Sequence, residues 1–170
     1  MLSVTTDEPS DLLFQLNEEM VRTATSAIFV TATYLVYDDT EKKVLVASAG
    51  HLPTLILREE SRKIEEIQPK EGMPLGLMER VEYSQEEIII GKEDKVILYT
   101  DGVVEAKNLR REDFGLESLI SNLVSMRSAN AKETVAAIEK QIQTFAGKAP
   151  QHDDCTLIVL KEMGGKIEGV

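Results

Sequence analysis

The sequence contains one cysteine, no tryptophan and few aromatic residues, which make up 5% of its 170 residues. A single cysteine, Cys155, excludes an internal disulfide and favours a reducing compartment such as the cytoplasm. Its position in a run of strand-forming residues favours a small buried side chain over a reactive thiol. No apolar stretch approaches the ~20 residues that span a bilayer, and the N-terminus has no basic-then-apolar signal pattern. The sequence therefore predicts a cytoplasmic protein.

Basic residues are also scarce, since 19 Lys and Arg stand against 30 Asp and Glu, and the formal net charge is −11. This balance argues against nucleic acid or an anionic membrane as a partner, because phosphate groups need basic side chains to neutralise them. It does not exclude a phosphorylated substrate, since a bound divalent cation can supply local positive charge. The hydrophobic fraction of 42% is ordinary for a soluble globular protein, and the length suits one domain with a buried core.

The predicted elements follow one another as a helix, many strands, two helices and a final strand. Apolar residues at helical spacing predict a helix over residues 10–25 with Ser10 as its N-cap. Runs of β-branched and apolar residues predict strands at 28–37, 44–50, 54–57, 64–67, 83–90, 95–100 and 151–160. Further predictions are helices around 116–124 and 135–145, the second ending at Gly147, a structured loop at 68–80, a helical turn at 102–107 and loose ends at 1–9 and 162–170. This order is typical of an α+β domain, and no repeat or linker marks a second domain.

Two acidic positions stand at strand ends. A run of β-formers at 95–100 stops at Asp101 and Gly102, and the pair Asp153–Asp154 precedes the closing strand. If these strands are antiparallel, both carboxylates lie at one edge of a sheet, where they would suit a hard cation. Read singly, an Asp-Gly pair is usually a turn, and two adjacent acids are usually a solvated approach to a strand.

Other chemistry is not indicated by the sequence. His51 follows Ala-Gly at a strand end and is more often a turn or hydrogen-bonding residue than a catalyst. His152 stands beside the acidic pair, but one histidine next to two aspartates is not a zinc signature. We find no P-loop, no dinucleotide-binding glycine pattern, no G-x-S-x-G elbow and no Cys/His nucleophile pair. Asp101 and the acidic pair are therefore the only candidate chemistry.

Five motifs occur in a fixed order along the chain. They are SAGHLP at 48–53, GMPLGL at 72–77, LYTDGVVEA at 98–106, FG at 114–115 and HDDCT at 152–156. Together they resemble the bacterial branch of the PPM superfamily of metal-dependent protein phosphatases, in particular the SpoIIE/RsbU-type serine phosphatases. The resemblance runs from about residue 9 to 161. It implies an α/β/β/α sandwich of antiparallel sheets flanked by helices, with two Mn²⁺ or Mg²⁺ ions and a metal-activated water that attacks phosphoserine or phosphothreonine.

The resemblance also implies roles for particular residues. By motif match, Asp101 and Asp153 are metal ligands. Asp154 takes a position that is usually Asp or Asn, and its implied role is to orient the ligands without binding the metal itself. Gly102 and His51 are given supporting roles. The family-typical substrate is a phosphorylated anti-sigma-factor antagonist in a sigma-factor or stress-signalling pathway.

The sequence departs from the family near its start. Family members carry an earlier segment with an Asp-x-x-Gly motif, which supplies the ligand that bridges both metals, and nothing of the kind precedes the helix predicted at 10–25. We therefore expect residues 1–170 to form a single, N-terminally incomplete phosphatase domain that binds Mg²⁺ or Mn²⁺ weakly and hydrolyses phosphoesters slowly or not at all. The alternative is a non-catalytic, phosphatase-like module that binds a partner protein. Uncovered sheet edges would favour a homodimer.

Overall fold

A computed structural model describes residues 8–23, 28–70 and 72–164 of the chain. The elements in chain order are α1 (Pro9–Thr23), β1 (Ala32–Asp38), β2 (Lys43–Ala49), β3 (Thr54–Leu57), β4 (Ile64–Ile67), β5 (Gln85–Ile89), β6 (Lys95–Tyr99), α2 (Asp101–Val104), α3 (Leu116–Ser125), α4 (Ala131–Ala146) and β7 (Leu157–Lys161). They form two sheets, with strand orders β1-β2-β5 and β4-β3-β6-β7. The pairings β1–β2, β2–β5, β3–β6 and β6–β7 are antiparallel. Within the described ranges, no helix is both long and apolar enough to cross a membrane.

The elements divide into two compact units. The first contains the chain up to Leu52 together with Ile67–Ile90, and it holds α1 and the sheet β1-β2-β5. In this unit α1 packs on β2. Its core is a cluster of buried residues that come from the helix, the central strand and the following loops: Leu13, Ala47, Ala49, Leu75 and Tyr83.

The second unit is built around β6. This unit contains Pro53–Glu66 and the chain from Gly91 onward. Strand β6 lies between β3 and β7, and apolar side chains of α3 and α4 are completely buried in the same unit, among them Leu119, Leu123 and Ile138. The α4 helix begins with a capping box, in which the Asn130 side chain accepts a hydrogen bond from the backbone of Glu133 and the Glu133 side chain accepts one from the backbone of Asn130.

Two lysines on neighbouring strands hold the connection between α3 and α4. Lys95 and Lys161 are register partners on β6 and β7. Lys95 is completely buried, and its Nζ donates to Met126 O at 2.6 Å and to Thr134 Oγ1 at 3.1 Å. Lys161 Nζ donates to Ala129 O at 3.1 Å. Burial, with a smaller contribution from the charge of Lys161, lowers the pKa of Lys95 to about 8.

The predicted α+β organisation is confirmed, and β3 and β4 occupy the predicted residues. The predicted boundaries of the first helix and the first strand need correction. The helix begins at Pro9, and Ser10 does not act as its N-cap, because its backbone N–H and its hydroxyl both donate to Gln85 Oε1. Strand β1 begins at Ala32 and not at residue 28, because its ladder partner β2 ends at Ala49.

The predictions at the C-terminal end also need correction. The closing strand begins at Leu157 and not at 151, because Asp154 and Thr156 before it bond to Thr100, the N-cap residue of α2. The predicted loose tail does not begin at residue 162, because Glu162 exchanges backbone hydrogen bonds with Glu93 and Asp94. Residues 1–7, the end of the first predicted helix at 24–25, and residues 165–170 lie outside the described residues.

Candidate metal centre

The connection from β6 to α2 carries Asp101. Strand β6 ends at Tyr99, Thr100 is the extended N-cap residue with φ −92° and ψ 163°, and Asp101 begins α2. The backbone N–H of Gly102 donates to Asp101 Oδ1 at 2.8 Å. This bond holds one carboxylate oxygen, and the side chain remains exposed at the end of the sheet.

The loop that carries Asp153 returns to the same end of the sheet. Tyr99, the last residue of β6, pairs with Leu157, the first residue of β7. The backbone N–H of Asp154 donates to Asp153 Oδ1 at 2.7 Å, and both residues are exposed. The antiparallel arrangement expected for these two strands is confirmed, whereas the metal-binding roles of the side chains stay predictions.

Thr100 and Gly102 join the two loops. Thr100 Oγ1 donates to Asp154 O at 3.1 Å and accepts from the backbone N–H of Thr156 at 3.0 Å. A Cβ atom on Gly102 would lie 2.4 Å from Asp154 O, so the loops can approach this closely only because residue 102 is glycine. The sequence did not single out Thr100. The only available signal was a hydroxyl residue immediately before the Asp-Gly pair.

Cys155 reinforces this junction in an unexpected way. Its side chain is exposed, so the prediction of a buried cysteine is wrong. Sγ lies 2.9 Å from Gly102 O, and the thiol donates to this carbonyl. Partial burial, followed by the charges of Asp153 and Asp154, raises the pKa of Cys155. The thiol therefore stays protonated at neutral pH and serves as a hydrogen-bond donor.

His51 belongs to the first unit, whereas Asp101, Gly102, Asp153 and Asp154 belong to the second. The backbone N–H of His51 donates to Ser48 Oγ at 3.2 Å, and its Nδ1 lies 3.2 Å from Thr31 Oγ1. These bonds fix the turn after β2. The supporting roles of His51 and Asp154 at a metal centre stay predictions.

The ligand atoms are of the type that a hard cation prefers, but too few ligand side chains among the described residues are grouped together to enclose one. Carboxylate oxygens are the ligands that Mg²⁺ and Mn²⁺ prefer, and Mg²⁺ is often held by one or two carboxylates, several waters and substrate phosphate. Over residues 8–23, 28–70 and 72–164, no three His, Cys, Asp or Glu side chains are grouped so as to hold a metal ion. Asp101 and Asp153 therefore fit at most one hydrated cation, and they do not form the cage that a two-metal centre needs.

Comparison with known sequences places this arrangement in a wider context. The family model described as Stage II sporulation protein E (SpoIIE) matches residues 1–162. The phosphoserine phosphatase RsbU of Bacillus subtilis (strain 168) is 28% identical over 157 residues, which cover 90% of this chain and 45% of RsbU. The chain thus spans less than half the length of this relative.

Solved structures show the same fold. The SiaA-PP2C domain of Pseudomonas aeruginosa superimposes with a TM-score of 0.81 at 18% identity, covering 94% of this chain and 63% of that domain. The phosphatase domain of the cell fate determinant SpoIIE from Bacillus subtilis, presoaked with Mn, gives a TM-score of 0.64 at 11% identity and covers 99% of this chain and 80% of that one. Because these identities are low, the likeness concerns the fold. The predicted class, antiparallel sheets with flanking helices of the PPM type, is confirmed.

Proposed function

Because this chain belongs to the SpoIIE family, whose model spans residues 1–162, we propose that it is part of a cytoplasmic PPM-type serine/threonine phosphatase. The observation that carries the proposal is the meeting of Asp101 and the Asp153 loop at one end of the β6–β7 pair. Two further points support it: the relative RsbU is named a phosphoserine phosphatase, and the related SpoIIE domain was soaked with Mn. Mn²⁺ or Mg²⁺ is accordingly the proposed cofactor.

The proposed substrate is a phosphorylated regulatory protein of the anti-sigma-factor antagonist class. Asp101 and Asp153 are exposed at the end of a sheet, where a phosphoserine on the surface of another protein can reach them. With a net charge of −11, the chain would repel a phosphate unless a cation lies between the two. A substrate of this class and a divalent cation are therefore proposed together.

We expect this chain alone to hydrolyse p-nitrophenyl phosphate in Mn²⁺ at least about 100-fold more slowly than full-length RsbU, because two carboxylates leave the metal shell incomplete. Asp101→Asn and Asp153→Asn should each remove the residual Mn²⁺-dependent rate. Glu117→Gln, which changes an exposed carboxylate on α3, is the control and should leave this rate unchanged. Steady-state rates with and without Mn²⁺ measure these effects. A rate equal to that of RsbU, or full activity in Asp101→Asn, would contradict the prediction.

The second candidate is a non-catalytic, phosphatase-like module that binds a partner protein. It is favoured by the lack of a third clustered ligand among the residues that the structure describes. Calorimetric titration with Mn²⁺ separates the two functions. Mn²⁺ binding that is lost in Asp153→Asn supports the phosphatase, and a chain that takes up no Mn²⁺ supports the binding module.

We also propose a homodimer that forms through β7. This strand is the last in the order β4-β3-β6-β7, yet it is apolar on both faces, a pattern typical of strands inside a sheet. Its Ile158 and Leu160 side chains are 46% and 41% exposed. Pairing along β7 would cover these side chains and give hydrogen-bond partners to the backbone N–H and C=O groups at the outer edge of the strand.

Light scattering should therefore detect a dimer at high protein concentration, and Ile158→Lys should return it to a monomer. The charge would be buried without a partner at the new strand pair. Leu109→Lys is a matched control, because Leu109 is 71% exposed and lies outside every strand. A wild-type chain that remains monomeric at all concentrations would reject dimerisation through this edge.

A further inference from the structure

A groove of about 680 Å³ lies beside the Asp153 loop in the second unit. One side is formed by α4, and the other is formed by residues that follow Asp101 and by the segment that leads into Leu157, the first residue of β7. Its lining includes apolar side chains from all three segments, among them Val103, Val135, Ile142 and Leu157. The volume falls within the range of roughly 300–1,000 Å³ that is typical of ligand sites.

The charged side chains around this apolar lining are mostly acidic. Glu105, Glu139 and Asp153 line the groove and are exposed to solvent. Lys107 is the one lysine or arginine of the lining within the described part of the chain, and it is already ion-paired with Asp113. An occupant would therefore meet more acidic than basic side chains around an apolar surface.

We propose that this groove docks a short segment of the substrate protein in which an apolar residue is flanked by lysine or arginine. The inference rests on the proposed function, since Asp153 both lines the groove and is a candidate metal ligand. A docked segment would place the flanking residues against Glu105 and Glu139 while the phosphoserine lies toward Asp153. The acidic side chains at the groove favour a segment with basic residues beside its apolar residue over an acidic segment.

Fluorescence anisotropy with unphosphorylated, labelled peptides tests docking without requiring hydrolysis or metal. One peptide carries leucine flanked by lysine and arginine, and the other has glutamate in place of each basic residue. We expect the basic peptide to bind with an affinity that falls as salt is raised, and the acidic peptide not to bind. Glu139→Lys should weaken binding of the basic peptide by about tenfold, because it reverses a charge at the groove.

Glu60→Lys is the matched control, since Glu60 is equally an exposed acid of the second unit but lies outside the groove. Thermal unfolding checks that both variants remain folded. Equal affinity for the two peptides, or equal losses in Glu139→Lys and Glu60→Lys, would overturn the proposal. A change in oligomeric state caused by Glu139→Lys would assign the groove to a second copy and overturn it as well. A chain that binds the basic peptide but hydrolyses nothing supports docking and rejects only the catalytic proposal.

Discussion

Gly102→Ala is expected to lower the free energy of unfolding by about 2 kcal/mol and to abolish Mn²⁺ binding. The added Cβ would lie 2.4 Å from Asp154 O and 2.9 Å from Asp154 C, and backbone atoms at these distances must move. Movement of the loop would break the hydrogen bond from Thr100 Oγ1 to Asp154 O and the contact from Cys155 Sγ to Gly102 O. Alanine is the better helix former by about 1 kcal/mol, so a loss of stability in this helical position isolates the steric effect.

Urea unfolding followed by circular dichroism measures the loss of stability, and calorimetric titration with Mn²⁺ measures the loss of binding. Gly91→Ala is the control, because the nearest atom to its added Cβ is a side-chain oxygen of Asp94 at 3.2 Å and not a backbone atom at 2.4 Å, so a smaller loss of stability and no loss of Mn²⁺ binding are expected. Wild-type stability together with wild-type Mn²⁺ affinity in Gly102→Ala would show that the Asp153 loop can separate from the start of α2 without cost. The contact at Gly102 would then have no part in holding the two carboxylates together.

The sequence predicted the parts of this site that depend on local patterns. Strand β6 was recognisable as a β-forming run that stops at Asp101, and the second acidic pair stood just ahead of another apolar run. An antiparallel pairing of these two runs brings their acidic ends to one edge of a sheet, so the meeting of the two loops could be inferred from the pattern alone. The ordered motifs then indicated the family, and the family model confirmed it.

The contacts that hold the loops together left no local pattern. Thr100 bonds to Asp154 and Thr156, which are more than fifty positions away in the sequence, so neither helical nor strand periodicity reveals the pairing. For the same reason the sequence suggested a buried Cys155, although the thiol is exposed and bonded to Gly102. Predictions from local sequence patterns therefore fail where two loops bond to each other, because neither loop takes part in the regular pairing of strands.

Lys95 shows a second limit of sequence reasoning. A lysine at the first position of a strand is usually solvated, and its burial depends on acceptors that only the tertiary fold supplies. Here Met126 O and Thr134 Oγ1, from the end of α3 and the first turn of α4, accept from its Nζ. The buried charge therefore depends on the packing of two helices against β6, and no feature near Lys95 in the sequence marks it.

The free energy of unfolding should rise between pH 8 and pH 10.5 in the wild-type chain by up to about 3 kcal/mol relative to Lys95→Met. Burial lowers the pKa of Lys95 from 10.5 to about 8 in the folded chain, so in this window the unfolded chain binds a proton that the folded chain does not. Raising the pH therefore favours the folded chain, and below pH 8 the gain is lost because Lys95 is protonated in both states. The charged groups whose fields act on Lys95 are Lys161, Glu59, Glu93 and Glu133.

Urea unfolding at several pH values between 7 and 10.5, for the wild type and Lys95→Met, measures this difference. Subtracting the two curves removes the contributions of titratable groups that do not interact with Lys95, because these groups are the same in both proteins. Lys148→Met removes an exposed lysine after α4 and should give a curve parallel to that of the wild type. If the free energy of unfolding of Lys95→Met changes with pH in parallel with that of the wild type, the Lys95 ammonium is solvated in the folded chain. That result would mean that no buried ammonium makes the bonds to Met126 O and Thr134 Oγ1 that join β6 to α3 and α4.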